Sequence, residues 1–324
     1  MSAFAVLNPG GRDPAQAFPN GAGSPQDPGH PPVNYHAYAA CCNGGFYRRV
    51  SEIPAPTQAV LVLLRRKGLE EARTAIRDLK KSGRRVLVSW KESGLHQVAD
   101  ALADAKRHDI FRVICREADG FLSSTPDLVP LYRSAGCKTG TFLPTPYPVD
   151  APAWDFSRNL EERAGIFIGT REFSVPSRNH LLAVSTACTL GPVTVINTDG
   201  RAGERLLRSI SPEIKIVNGT LPYPEYLRLI ASHRLVFQLD RSAVPGQVAG
   251  DALLARVPCV GGDGAVDRLA FERLSGPQID AAQLAQELLT DDHAYGREVE
   301  RSQHAALEHL SFGAISKRRA EFLG

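Results

Sequence analysis

The chain has 324 residues, 43% of them apolar and 23% charged, which excludes wholesale disorder and coiled coil and suits two domains of ordinary size. Its net charge of +3 is unevenly spread: residues 1–150 carry 19 Lys and Arg against 14 Asp and Glu, or +5, while residues 151–324 carry 19 against 21, or −2. The longest apolar run, Ala59–Leu64, is far short of the roughly 20 residues that cross a bilayer. The opening Met1-Ser2-Ala3-Phe4 lacks a basic n-region, so a cytoplasmic protein without membrane insertion is expected.

Phe4-Ala5-Val6-Leu7 reads as a short buried strand. Residues 9–32 follow with seven prolines and five glycines in 24 positions, a composition that opposes helix and strand alike. Because this loop leaves a strand and runs into a helix over Val33–Cys42, it reads as an active-site loop. Strand Ala59–Leu64, helix Leu69–Lys81 ending at Gly83, strand Arg85–Trp90, helix Leu95–Lys106, strand Gly120–Ser123, helix Leu128–Ala135 and strand Thr139–Leu143 come next. Apolar strands alternating with amphipathic helices predict a parallel sheet covered on both faces, the Rossmann-like arrangement.

The prolines of Pro144-Thr145-Pro146-Tyr147-Pro148 mark a linker, giving domains over 1–146 and 147–324. A second series then starts, with strands Ala164–Ile168, Val193–Asn197, Ile214–Val217, Leu235–Leu239 and Cys259-Val260. Its helices lie near Arg178–Thr189, Ala202–Ser209, Tyr223–Ser232 and Gly250–Leu254, and Ala281–Leu323 is a helical tail. The expected fold is α/β, with two Rossmann-like domains facing a central cleft. The six cysteines, at 41, 42, 115, 137, 188 and 259, form no C-x-x-C pair and read as buried thiols, so no metal site is assigned.

Missing motifs narrow the chemistry. There is no G-x-G-x-x-G after a strand, no G-x-x-x-x-G-K-[ST], no G-x-S-x-G and no D-x-D. Gly169-Thr170-Arg171 follows the first strand of the second half, with Arg178 seven residues on; such cations suit a leaving diphosphate. Gly246 allows close backbone approach, Gln247 and Val248 open a helix whose positive end suits phosphate, and Asp251 one turn later suits ribose hydroxyls. In the first half, Lys91 and His96 follow the end of a strand in Trp90-Lys91-Glu92-Ser93-Gly94-Leu95-His96, and His36 stands with Tyr35 and Tyr38 after the long loop.

The stretch from Tyr223-Pro224-Glu225-Tyr226-Leu227 through Leu239, and then Pro245 to Gly262, resembles the GT-B glycosyltransferases, in particular the large retaining family that binds a nucleotide sugar in its C-terminal domain. The resemblance implies transfer of a sugar, with retention, from a nucleoside diphosphate donor such as a UDP-sugar to an acceptor hydroxyl, with no metal required. It implies that Gly169, Thr170, Arg171, Arg178, Gly246, Gln247 and Val248 hold the diphosphate, that Asp251 holds the ribose, and that His96, with Lys91 second, touches the donor sugar. One departure stands out: the family's paired glutamates, E-x7-E, fall at Ala243 and Asp251, so Asp240 or Arg241 takes the first one's place or the donor is not a hexose. Tyr35, His36, Tyr38, Lys91 and Ser93–Gln97 are similar to phage glycosyltransferases that modify hydroxymethylated pyrimidines in DNA, which would put the enzyme in a host cytoplasm. Carbohydrate, lipid or small-molecule acceptors, a sugar-nucleotide epimerase or hydrolase, and a nucleotide-sugar-binding protein remain the alternatives.

Overall fold

Near-continuous apolar strands need cover on both faces, and the computed structural model, which describes residues 3–91 and 94–324, supplies it in each of two compact units. The first unit comprises Met1–Asp150 and Leu310–Gly324, the second Ala151–His309. The division therefore falls after Asp150 and again after His309, and the end of the helical tail belongs with the first unit.

In the first unit β1 (Ala3–Leu7), β2 (Gln16–Ala17), α1 (Asn34–Ala40), β3 (Gly45–Tyr47), β4 (Thr57–Leu64), α2 (Leu69–Lys81), β5 (Arg85–Trp90), α3 (Leu95–Leu102), α4 (Ala105–Glu117), β6 (Gly120–Ser123), α5 (Val129–Ser134) and β7 (Gly140–Phe142) follow one another. The sheet order is β2-β3-β1-β4-β5-β6-β7, parallel throughout except that β2 runs antiparallel to β3. Strand alternation divides the core. Leu7, Val60, Val62, Val86, Val88 and Trp90 pack with α2 and α4, whereas Phe4, Val6, Leu61, Leu63 and Leu87 pack with α1. On α2 the buried residues Leu69, Ala72, Ile76 and Leu79 follow helical spacing, with Glu70 and Glu71 in the first turn and Lys80 and Lys81 in the last, each favourable to the helix dipole. Burying Ile76 and Leu79 contributes about 1.5–3 kcal/mol each.

The single helix expected over Leu95–Lys106 is two. Asp104 breaks it by capping α4, its carboxylate accepting from Arg107 N at 2.9 Å, and α4 runs on to Glu117. The short strands β2 and β3 are too brief to show a periodicity in the sequence and are stabilised by their partners in the sheet.

The second unit holds β8 (Ile166–Ile168), α6 (His180–Leu190), β9 (Val193–Asn197), α7 (Gly200–Ile210), β10 (Lys215–Asn218), α8 (Tyr223–Ala231), β11 (Leu235–Phe237), α9 (Gln247–Leu254), β12 (Cys259–Val260), α10 (Ala265–Ala270), α11 (Ala281–Thr290) and α12 (Asp292–His309). Its sheet is fully parallel in the order β10-β9-β8-β11-β12. The chain starts at β8 in the centre, winds out through β9 to β10, then returns to β11 on the other side. The strand order thus reverses between β8 and β11, where an open α/β sheet leaves a crevice at its carboxyl edge. The last helix, α13 (Phe312–Leu323), adds Phe312 and Ile315 to the first unit's core beside α1. No helix among the described residues is long and apolar enough to cross a membrane.

Candidate active site

The β8–β11 crevice is built around two glycines. Gly169 leaves β8 and donates its N–H to Phe237 O of β11 at 3.1 Å; a side chain there would collide with Val248 Cγ1, only 2.3 Å from the position of a Cβ. Gly246 lies at φ +93°, in the left-handed region, and a Cβ would meet Asp267 Oδ2 at 2.9 Å. Neither glycine leaves room for a side chain of its own where the β8 exit meets the first turn of α9. The first-turn amides of a helix point beyond its end without partners inside it, so Gln247 and Val248 present a partial positive charge here.

Asp251, one turn into α9, is completely buried. Its Oδ1 accepts a hydrogen bond from the Tyr223 hydroxyl at 2.5 Å; its Oδ2 makes no direct hydrogen bond, although the Tyr226 hydroxyl and the Gln247 side chain lie near enough to favour the ionised carboxylate. Burial pushes its pKa up to about 7, against the pull of the Tyr223 hydroxyl and the Arg171 charge. Arg171 is half-buried with its guanidinium over the Tyr226 ring, 5.2 Å from the centroid. Below Gly246, the buried Asp267 accepts from Gln238 Nε2 at 2.8 Å and is also raised to about 7 by burial. A carboxyl that is partly neutral at physiological pH repels an anion above it less than an ionised one.

The neighbouring loop is tied down on both sides. Thr170 is buried with its hydroxyl 2.9 Å from His180 Nδ1, while His180 Nε2 is buried without a partner and burial lowers the ring's pKa to about 4. Arg178 pairs with Glu172 at 3.2 Å, so its charge is already answered within the loop. Ser177 Oγ lies 2.7 Å from Ser242 Oγ, and Asn179 Nδ2 donates to Leu239 O at 2.9 Å, joining the loops after β8 and β11. Asp240 turns inward to accept from Ser242 N at 2.8 Å, and Arg241 spends its guanidinium on Gly261 O at 2.5 Å. At position 243 the alanine sits at φ +47°, and its N–H donates to Asp263 Oδ1 at 3.2 Å. The carboxylate beside position 243 therefore comes from Asp263, inside Gly261-Gly262-Asp263-Gly264, and burial raises its pKa. Tyr223, His180 and Asp263 were absent from the expected site. Tyr223 opens the stretch that carries the family resemblance, and Asp263 has a local signal as an acid flanked by glycines, whereas His180 has none.

The first-half candidates divide. Lys91 leaves β5 and pairs with Asp13 of the long loop at 2.9 Å; Asn8 Nδ2 donates to the same carboxylate at 2.5 Å. Burial would raise the Asp13 pKa, but the Lys91 ammonium outweighs it and holds the carboxyl below its usual range. His96 is exposed on the first turn of α3, and Glu92 and Ser93 of the same motif lie outside the described residues. His36 needs correction as a catalytic candidate. It is a buried core residue stacked between His30 (4.0 Å) and Phe46 (3.8 Å), with Nε2 donating to Pro14 O at 2.9 Å and its pKa lowered by burial to about 4. Both ring faces are covered, so its work is to anchor the long loop. Tyr35 and Tyr38 are likewise core: the Tyr35 hydroxyl bonds Trp90 O, and the Tyr38 hydroxyl donates to Leu143 O at 2.7 Å. Neither ring is available for a base to stack on.

No protein-family model matches the chain, and no curated protein matches it by sequence. Solved structures do match in fold. A UDP-forming α,α-trehalose-phosphate synthase from Burkholderia xenovorans is similar at TM-score 0.64 and 11% identity, covering 100% of this chain and 99% of that one. A sucrose-phosphate synthase from Thermosynechococcus elongatus is similar at TM-score 0.62 and 15% identity, covering 100% and 98%. The pneumococcal O-GlcNAc transferase GtfA, in complex with UDP and GlcNAc, is similar at TM-score 0.57 and 10% identity, covering 82% and 56%. These neighbours are GT-B glycosyltransferases, and the fold of this chain is theirs.

Proposed function

We propose that the protein is a glycosyltransferase that takes its sugar from a nucleoside diphosphate donor, UDP being the nucleotide named for several fold neighbours. The observation that carries this reading is the buried carboxylate of Asp251, with one oxygen making no direct hydrogen bond, set one turn inside a glycine-opened helix at the strand-order reversal. The Gln247 and Val248 amides and the Arg171 guanidinium would hold the diphosphate, and Asp251 would accept from a ribose hydroxyl. In the reaction the C1–O bond to the leaving phosphate breaks and a C1–O bond to the acceptor forms on the same face, as the family resemblance implies. The acceptor proton passes to the leaving diphosphate, so no strong protein base is required. Arg171 then acts most strongly as negative charge builds on the leaving group.

For the acceptor we propose a small hydroxylated sugar or sugar phosphate, the class found with a trehalose-phosphate synthase neighbour bound to glucose-6-phosphate. A hydroxymethylated pyrimidine in DNA is the less favoured reading, since its stacking residues, Tyr35 and Tyr38, are core. Incubating the protein with a panel of UDP-, GDP-, ADP- and dTDP-sugars, with and without sugar, sugar-phosphate and hydroxymethylated-DNA acceptors, tests both levels. Nucleoside diphosphate release that requires an acceptor, with a glycosylated product of matching mass, is expected. Interconversion of donors without any acceptor would make the protein an epimerase, and binding without turnover would make it a nucleotide-sugar-binding protein.

A further inference from the structure

Far from the β8–β11 crevice in sequence, the first unit contains a cavity of about 660 Å³ between the end of α1 and the face of α13. Cys41, Cys42, Ser316, Lys317 and Arg319 line it, and no acidic side chain does. Cys41 and Cys42 are half-buried with their sulfurs 3.5 Å apart, and Cys41 Sγ is 3.4 Å from Tyr38 O. Arg319 is 95% buried, being 5% exposed, and its Nε and Nη1 have no hydrogen-bond partner. Its guanidinium lies over the Phe4 ring at 5.2 Å. A buried guanidinium without an anion is costly, so this pocket has an unanswered positive charge beside a pair of thiols.

The two thiols are not equivalent. The contact with Cys42 and burial raise the Cys41 pKa; the same contact holds Cys42 below its usual range against burial, with the Arg319 charge acting in the same direction. The Tyr38 carbonyl can only accept, so Cys41 is the thiol that donates to it at 3.4 Å and keeps its proton, which leaves Cys42 as the nucleophile.

We propose that Cys42 is a thiol-modification site that exchanges with low-molecular-weight disulfides carrying carboxylates, which the Arg319 and Lys317 charges draw into the cavity. In the step, the Cys42 thiolate attacks one sulfur of the disulfide; its S–S bond breaks, a Cys42–S–S–R bond forms, and the other half leaves as a thiolate that takes a proton from water. The incoming disulfide is the oxidant: one of its halves is reduced to a free thiol as Cys42 is oxidised. Cys115, by contrast, is buried.

The test labels the whole chain with dithiodipropionate, an anion, or cystamine, a cation, and follows each cysteine by peptide mass. Cys188 on α6, half-buried and outside the cavity, is the internal reference. The expected result is that the Cys42-to-Cys188 rate ratio is at least about tenfold higher for dithiodipropionate than for cystamine. Arg319→Gln should bring the two ratios together, and Cys42→Ser should abolish labelling at this site while leaving Cys188 unchanged. Because Arg319 is buried and its variant can fail to fold, Lys317→Gln, at an exposed position, provides the second comparison and should narrow the difference by at least about twofold. Equal ratios for the two disulfides, or Cys42 labelling no faster than Cys188 with the anionic one, would overturn the proposal.

Discussion

The two units share a winding pattern but use its break differently. In each, the first strand is central and the order reverses beside it, between β1 and β4 in one unit and between β8 and β11 in the other. In the first unit the chain itself occupies that edge: Asp13 of the long loop meets Lys91 and Asn8, Arg65 Nη2 donates to Pro9 O at 2.6 Å, and His36 anchors Pro14. In the second, the edge is glycine backbone, a helix N-terminus, a half-buried Arg171 and an Asp251 oxygen without a direct hydrogen bond. A topological crevice is thus only an opportunity. Whether a ligand is called for depends on whether the chain's own polar groups already answer one another there.

Removing Arg171 should break that contrast most severely. Arg171→Ala is expected to lower kcat by about 10²–10³-fold with a smaller rise in donor KM, the range for losing one group that stabilises developing charge. Arg178→Ala should cost far less, because Glu172 already pairs with Arg178. Equal losses in the two variants, measured by steady-state kinetics, would dissolve the distinction between an available and a spent cation.

Asp251→Asn is expected to weaken donor binding by about 1–3 kcal/mol without loss of fold, read by calorimetry and thermal melting. Its pH dependence sharpens the point. In the proposed role ribose hydroxyls would donate to the ionised carboxylate, whose pKa in the folded protein is about 7, so donor affinity should rise between pH 6 and pH 8 and binding near pH 6 should release a proton. In the Asn variant both effects should vanish. The sign is opposite for folding: an acid raised in the native state favours that state at low pH, and its contribution is lost as pH rises from the unfolded value near 4 towards 7.

Gly246→Ala should destabilise the second unit by about 1–2 kcal/mol, the cost of a left-handed backbone for a residue with a Cβ, and should weaken donor binding further because Asp267 must shift. The smallest effects belong to the first unit. Asp13→Asn breaks a pair whose side chains are about one-third exposed and should cost only about 0.2–1 kcal/mol, leaving donor affinity unchanged. His36 and His180, both with pKa lowered to about 4, stabilise the fold fully above pH 6.5, and that contribution is lost as pH falls towards 4. Acid unfolding of His36→Phe should therefore show a shallower dependence between pH 6.5 and pH 4 than the parent chain.

The strands β4, β5 and β9, the helix α2 and the glycine at the start of α9 were legible in the residues themselves, because apolar runs, helical spacing and turn chemistry are local and report burial directly. Of the residues expected from the sequence to hold a donor, Arg171, Gly246 and Asp251 lie at one sheet edge of the second unit, and their role there is the proposal above. Local pattern carried no information about partners. That Lys91 is spent on Asp13, that His36 is sealed between His30 and Phe46, and that Asp263 stands beside residue 243 depend on contacts between segments distant in sequence or on loops without periodicity. The burial that gives Asp251 and His180 their shifted titration, and the return of α13 to the first unit, arise from packing many side chains at once. Composition and spacing determined which residues prefer to be inside and which elements they form; only the tertiary structure decided which polar groups found partners there, because desolvation and pairing are properties of neighbours in space.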